Sequence, residues 1–207
     1  MTEKNKIVTL ITGAERGMGY VYAKTLSEHG QHVIIGAYDD KLGQESVDKL
    51  TSQGLDVTFT HCDITDRNSI NNTIKAIEDK FGYLNILINN AGIPGPAGGV
   101  PSETEETDLR KVFETNFFGT VAMTKAAIPL LKKAPFGKII TITSDMGSLG
   151  LATDPSSMFS HVIAFPYQAS KTALNAMTVG YSKELQGTNI TANSVNPGVT
   201  ATKLLSK

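Results

Sequence analysis

Tyr167 and Lys171 stand four residues apart in the stretch FPYQASK, directly after a proline. Four residues is about one helical turn, so a helix here sets a phenol and an ammonium on one face. A free phenol has a pKa of about 10 and exchanges protons poorly near neutrality. A nearby cation stabilises the phenolate, and a helix start just before Tyr167 does the same. The expectation is an acidified tyrosine that moves a proton. Taken alone, the pair equally fits an amphipathic surface pair at a helix start, so other residues must decide. Ser144, by itself a turn-closing residue like Ser148, follows a β-branched run. Gly13, Gly17 and Gly19 in TGAERGMG lie between a strand-like run and a helix-like one. Glycines so placed let the amides of a helix start approach an anion such as a pyrophosphate.

The elements that must position these groups follow from hydrophobic runs. Residues 7–12, 32–37, 56–61, 84–89, 137–143 and 189–195 are short apolar or β-branched stretches and read as strands. Residues 17–30 and 40–54 read as helices stopped by Gly30 and Gly54, and 66–82 as a helix capped by Asp66. A partly helical region spans about 102–133, and a last helix about 167–185. The alternation predicts an α/β fold, a doubly wound parallel sheet with helices on both faces, Rossmann-like. No linker, repeat or low-complexity stretch interrupts it, so 1–207 reads as one dinucleotide-binding domain. The clusters TGAERGMG, CDITD, NNAGIPG, TSDMGS and NPGVTAT each follow a strand. In a parallel sheet they line one edge, which argues for an extended cofactor.

Composition narrows the function classes. The 207 residues carry a net charge of −1, which offers no basic surface to nucleic acid. No apolar run is long enough to span a bilayer, and the start lacks the apolar core of a signal peptide. Cys62 is the single cysteine, which excludes an internal disulfide and fits a reducing cytoplasm. No His or Cys spacing suits a metal, so metal ligands are not expected. Cys62 reads as a small buried residue, and His29 and His32 as exposed residues flanking a turn.

The TGxxxGxG spacing, NNAG at 89–92, NFFG at Asn116, Ser144, YQASK and NPG at 196–198 together resemble the short-chain dehydrogenase/reductase family. The resemblance runs over essentially the whole chain, in family order, and is strongest to the carbonyl-reductase and ketoreductase type. It implies Tyr167 as general acid/base, with Lys171 lowering its pKa and bonding the nicotinamide ribose. It implies Ser144 on the substrate carbonyl and Asn116 holding a water in a proton relay from Lys171. The implied cofactor-binding set is Gly13, Glu15, Arg16, Gly17, Met18, Gly19, Tyr38, Asp63, Ile64, Asn90, Ala91, Gly92, Tyr167, Lys171, Pro197, Gly198, Thr200 and Thr202. Asp63 would contact adenine, Asn90 would lie near the adenosine ribose, and Thr202 would touch the nicotinamide end.

Departures from the family pattern sharpen the expectation. Ala37 stands where NAD-type members carry an acid, Arg16 precedes Gly17, and Tyr38 replaces a common arginine. Glu15 and Asp39 oppose a phosphate, but as exposed, screened side chains they weigh less than Arg16. NADP(H) is therefore favoured, with NAD(H) possible. Residues 145–166 separate Ser144 from Tyr167, a longer interval than is usual. The excess, Leu149 to Phe165, is expected as a loop over the substrate side, lined by Met158, Phe159, His161 and Phe165. Self-association stays open, because larger insertions here accompany monomers in related carbonyl reductases. Thr200 replaces the family's usual Val or Ile. The chain stops soon after NPGVTATKLL, so it is expected to be truncated at the C-terminus and to lack the last strand. The implied activity is hydride transfer between NADP(H) and a small or medium apolar ketone, aldehyde or secondary alcohol. The alternative is a non-catalytic, nucleotide-binding redox sensor.

Overall fold

Each β-branched run becomes a strand shielded by helices, because a parallel sheet needs both faces covered. The computed structural model describes residues 6–96, 99–198 and 200. Strands β1 (Val8–Thr12), β2 (His32–Ala37), β3 (Val57–His61), β4 (Ile86–Asn89), β5 (Gly137–Ile142) and β6 (Ile190–Val195) form one parallel sheet in the order β3-β2-β1-β4-β5-β6. The connections are α1 (Gly17–Glu28), α2 (Asp40–Thr51), α3 (Arg67–Phe81), α4 (Glu106–Phe113), α5 (Thr120–Lys133), the short α6 (Leu149–Thr153) and α7 (Phe165–Glu184). A π-helical segment, Glu114–Gly119, joins α4 to α5. The doubly wound fold is the one that the β-α alternation predicts.

Two apolar layers sandwich the sheet. Leu10, Ile34, Leu87 and Ile139 pack with Ile70, Ile77, Met123 and Leu130 of α3 and α5. Ile11, Val33, Ile35 and Ile88 pack with Ala23, Val47 and Leu50 of α1 and α2. Neighbours such as Leu10 and Ile11 serve opposite layers because successive strand side chains alternate in direction. Strand order reverses between β1 and β4, which opens a crevice at their carboxyl ends.

Element ends follow their sequence signals. Asp66 caps α3, its Oδ1 accepting from Asn68 N at 2.9 Å. Asp39 caps α2 by accepting from Leu42 N at 3.0 Å. The interval after Ser144 is not the open loop expected. It holds a 3₁₀ turn at Asp145–Gly147 and then α6, whose cap is Ser148 accepting from Leu151 N at 3.3 Å. Among the described residues, no helix is long and apolar enough to cross a membrane.

His32 departs from expectation. It opens β2, as the strand reading has it, but it is only 5% exposed. Its Nδ1 lies 2.9 Å from Asp56 Oδ1, its Nε2 lies 3.0 Å from Thr58 Oγ1, and its ring packs against Phe81. His29 is exposed as expected. Burial lowers the pKa of His32; Asp56 opposes that shift, and Lys80 and Lys6 add to it. The folded pKa thus lies below the unfolded value of about 6.5, so the fold favours neutral imidazole. The resulting stability is present above about pH 6.5 and is lost as pH falls through the folded pKa. His32→Gln should be less stable than the parent at pH 7.5, with the difference in urea midpoint narrowing by pH 5.5. A difference that stays constant across that range would contradict this account.

Candidate active site

α7 begins with Pro166 in its first turn, where a missing N–H costs nothing, and this sets Tyr167 one turn ahead of Lys171. The Lys171 ammonium lies 5.4 Å from the centre of the Tyr167 ring. Lys171 is 5% exposed, and its Nζ donates to the Ile142 carbonyl at the end of β5, at 2.8 Å. The turn at 145–147 lies directly on α7. A Cβ at Gly147 would come within 2.7 Å of the Lys171 carbonyl carbon, so only glycine permits the contact. Thr172 Oγ1 and Asn175 Nδ2 both donate to the Gly147 carbonyl, at 3.0 and 3.2 Å. This seats Ser144 against the helix. Its Oγ accepts from Met146 N at 3.2 Å, and the hydroxyl favours the phenolate of Tyr167.

The electrostatics differ from the expected acidified tyrosine. Burial raises the pKa of Tyr167, opposed only by the hydrogen bond with Ser144. The Lys171 ammonium is directed at the Ile142 carbonyl. Burial also draws the pKa of Lys171 down to about 8. Desolvation disfavours both charged forms.

Asn116 sits wholly buried in the π-helical segment. Its Oδ1 accepts from Ile93 N at 2.8 Å, and its Nδ2 donates to Ile93 O at 2.9 Å and Ser170 Oγ at 3.0 Å. Both ends of the carboxamide are engaged, so the side chain clamps the loop after β4 to α7. A Cβ at Gly92 would lie 3.3 Å from Asn116 Oδ1 and 3.9 Å from Lys171 Nζ, which brings the NNAG and YQASK motifs together.

The glycine-rich turn closes on the same crevice. A Cβ on Gly19 would lie 2.5 Å from Gly13 O and 2.6 Å from Asn90 Nδ2, so this packing demands glycine. Asn90 Nδ2 donates to Thr12 O and Gly13 O at 2.9 and 2.8 Å. The backbone N–H groups of Asn90 and Ala91 both donate to Thr12 Oγ1 at 3.1 Å. α1 starts at Gly17, and Met18 packs into the core layer behind it. Asp63 uses Oδ1 to accept from Thr65 N and Oγ1, at 2.8 and 2.7 Å, while Ile64 is buried. Tyr38 is exposed beside His61. Past β6, Gly198 N donates to Asn196 Oδ1 at 3.0 Å beside Pro197, and Thr200 Oγ1 approaches Gly198 O at 3.4 Å. Thr202 lies outside the described residues. Cys62 is buried with its thiol pKa pushed up to about 12, which leaves it inert as a nucleophile.

Glu15 also departs from expectation. Its side chain is 11% exposed, against 66% for Arg16, so it is not a screened surface acid. Three groups were not picked out from the sequence. Thr12 and Ile142 act through bonds that only the fold creates. Gly147 carried a signal, as the glycine of the TSDMGS cluster.

Residues 7–207 match the family model described as short chain dehydrogenase. The short-chain dehydrogenase anuI of Penicillium roqueforti is 34% identical over 204 residues, covering 96% of this chain and 80% of that protein. The cyclopentanol dehydrogenase of Comamonas testosteroni is 31% identical over 204 residues, covering 99% of this chain and 77% of that protein. Among solved structures, an actinorhodin polyketide ketoreductase variant with NADPH superposes with a TM-score of 0.84 at 28% identity, over 98% of this chain and 74% of that one. ElxO with NADP bound gives a TM-score of 0.82 at 32% identity, over 97% and 76%. With its motifs gathered at one sheet edge and relatives matching along nearly its whole length, this chain belongs to the short-chain dehydrogenase family.

Proposed function

We propose that this protein is an NADP(H)-linked carbonyl reductase or alcohol dehydrogenase, acting on a small or medium apolar ketone, aldehyde or secondary alcohol. The observation that carries the reading is the convergence of Ser144, Tyr167 and Lys171 beside a glycine turn that only close packing explains.

The residues fit a dinucleotide. Lys171 has three N–H donors and, among the described residues, one acceptor, the Ile142 carbonyl. Its remaining donors suit ribose hydroxyls. The first-turn amides of α1 suit a pyrophosphate. Ala37 brings no acid to the end of β2, and the exposed Arg16 guanidinium suits a 2′-phosphate. The NADPH and NADP named with two structural relatives support the phosphorylated cofactor. When bound, the nicotinamide supplies or accepts the hydride, and the protein provides orientation and the proton.

In the reductive direction Tyr167 donates its phenolic proton to the carbonyl oxygen, and Ser144 donates a second hydrogen bond that orients it. A pKa raised by burial keeps the proton on Tyr167 until transfer. The Lys171 charge then stabilises the phenolate left behind. The segment from Leu149 to Phe165 joins Ser144 to Tyr167 in the chain and exposes Leu149, Met158 and Ile163. These apolar side chains, and the cyclopentanol dehydrogenase among the relatives, support an apolar substrate.

Tyr167→Phe should lower ketone reduction by about 10²–10⁴-fold, the worth of a positioned proton donor, with NADPH affinity nearly unchanged. NADPH oxidation over a panel of ketones, beside a cofactor titration, measures both. Wild-type NADPH binding without turnover of any ketone would favour the redox-sensor reading instead. Lys171 is charged below about pH 8 and neutral above it. Cofactor affinity should therefore fall as pH rises past that value, and Lys171→Arg should remove the break. An affinity flat through the range would exclude Lys171 from the cofactor site. Excising about ten residues within 149–165 should change relative kcat/KM among ketones, the measure of specificity. A change confined to NADPH affinity would contradict a substrate-side role.

A further inference from the structure

The glycine-rich turn places two opposite charges side by side and gives them unequal surroundings. Arg16 reaches into solvent, while Glu15 is turned inward. Glu15 Oε1 stands 3.9 Å from Arg16 Nε, too far for a hydrogen bond. Its Oε2 is buried and has no hydrogen-bond partner among the described residues. The turn is pinned from both sides. Ser46 Oγ of α2 donates to the Glu15 carbonyl at 2.7 Å, and Ala14 N donates to Gly36 O of β2 at 3.2 Å. Gly36 is the next-to-last residue of β2, so the turn that carries Glu15 abuts the carboxyl end of that strand. That is the edge where β2 ends in Ala37 and offers no acid of its own.

We infer that Glu15 determines dinucleotide specificity by supplying, from the neighbouring turn, the acid that the end of β2 lacks. Its carboxylate accepts a hydrogen bond from the 2′-hydroxyl of the adenosine ribose of NAD(H). The same charge, poorly screened because it is buried, repels the 2′-phosphate of NADP(H). Arg16 attracts that phosphate, but its charge is damped by water. The chain therefore accepts both dinucleotides, at a ratio set by these two adjacent residues. The inference rests on the dinucleotide site proposed above.

The test is the affinity of NADH and NADPH for the wild type, Glu15→Gln, Glu15→Asp and Arg16→Ala, read from nicotinamide fluorescence. Calorimetry with 5′-AMP and adenosine 2′,5′-bisphosphate isolates the ribose. Glu15→Gln should shift the affinity ratio toward NADPH by roughly tenfold or more, as loss of a charge-assisted bond and of a repulsion requires. Arg16→Ala should shift it the opposite way. Glu15→Asp keeps the charge but shortens the reach, so NADH binding should weaken while NADPH affinity holds. A ratio that Glu15→Gln leaves unmoved, or equal losses for both dinucleotides, would overturn the role of Glu15 while leaving the dinucleotide site standing. Failure of wild type to bind either dinucleotide would overturn both.

Discussion

A primary ammonium taken almost wholly out of water is the constraint on which the candidate site depends. Burying such a charge costs several kcal/mol unless partners replace its hydration. Lys171 meets that cost in part with the Ile142 carbonyl, and the structure around it is arranged to make this possible. α7 must start early enough to carry Tyr167 and Lys171 on one face. β5 must end where its last carbonyl meets the ammonium. Residue 147 must be glycine for the turn bearing Ser144 to lie on the helix. Each group in the cluster is therefore held by backbone geometry, which rotates less freely than side chains.

The crevice at the topological switch point is the second half of the arrangement. Thr12 and Asn90 join the loops after β1 and β4 through four hydrogen bonds, so the glycine turn and the NNAG loop form one rim. Asn116 extends that rim to α7 through Ile93 and Ser170. It does so from a π-helical segment, an irregularity often found at functional sites. Asparagines that a motif reading assigns to ligands thus spend much of their bonding capacity on the protein itself. The rim is then rigid before any ligand arrives, which lowers the cost of ordering it on binding.

The strands and helices were legible because their cause is local. A β-branched run of about six residues stopped by glycine has few other solutions in a covered parallel sheet. Asp66 as a helix cap and Cys62 as a buried side chain were legible for the same reason. His32 was not, because whether a residue at a turn boundary is buried depends on a neighbouring strand. Asp56 and Thr58 come from β3 and its approach, and nothing near His32 in the chain announces them.

The sequence by itself determined the fold, the family and the identity of the residues gathered at the carboxyl edge. Composition, periodicity and motif order depend on residue type and spacing, which survive without coordinates. Only the tertiary structure decided the electrostatics of that edge. Charge behaviour depends on solvent and on partners distant in the chain. Thus burial raises the pKa of Tyr167 while the Lys171 ammonium turns to a carbonyl from β5. Glu15, next to an exposed arginine, is mostly withdrawn from water, and one carboxylate oxygen has no hydrogen-bond partner among the described residues. Two adjacent letters of sequence thereby acquire opposite environments, because the chain folds one of them inward against the sheet.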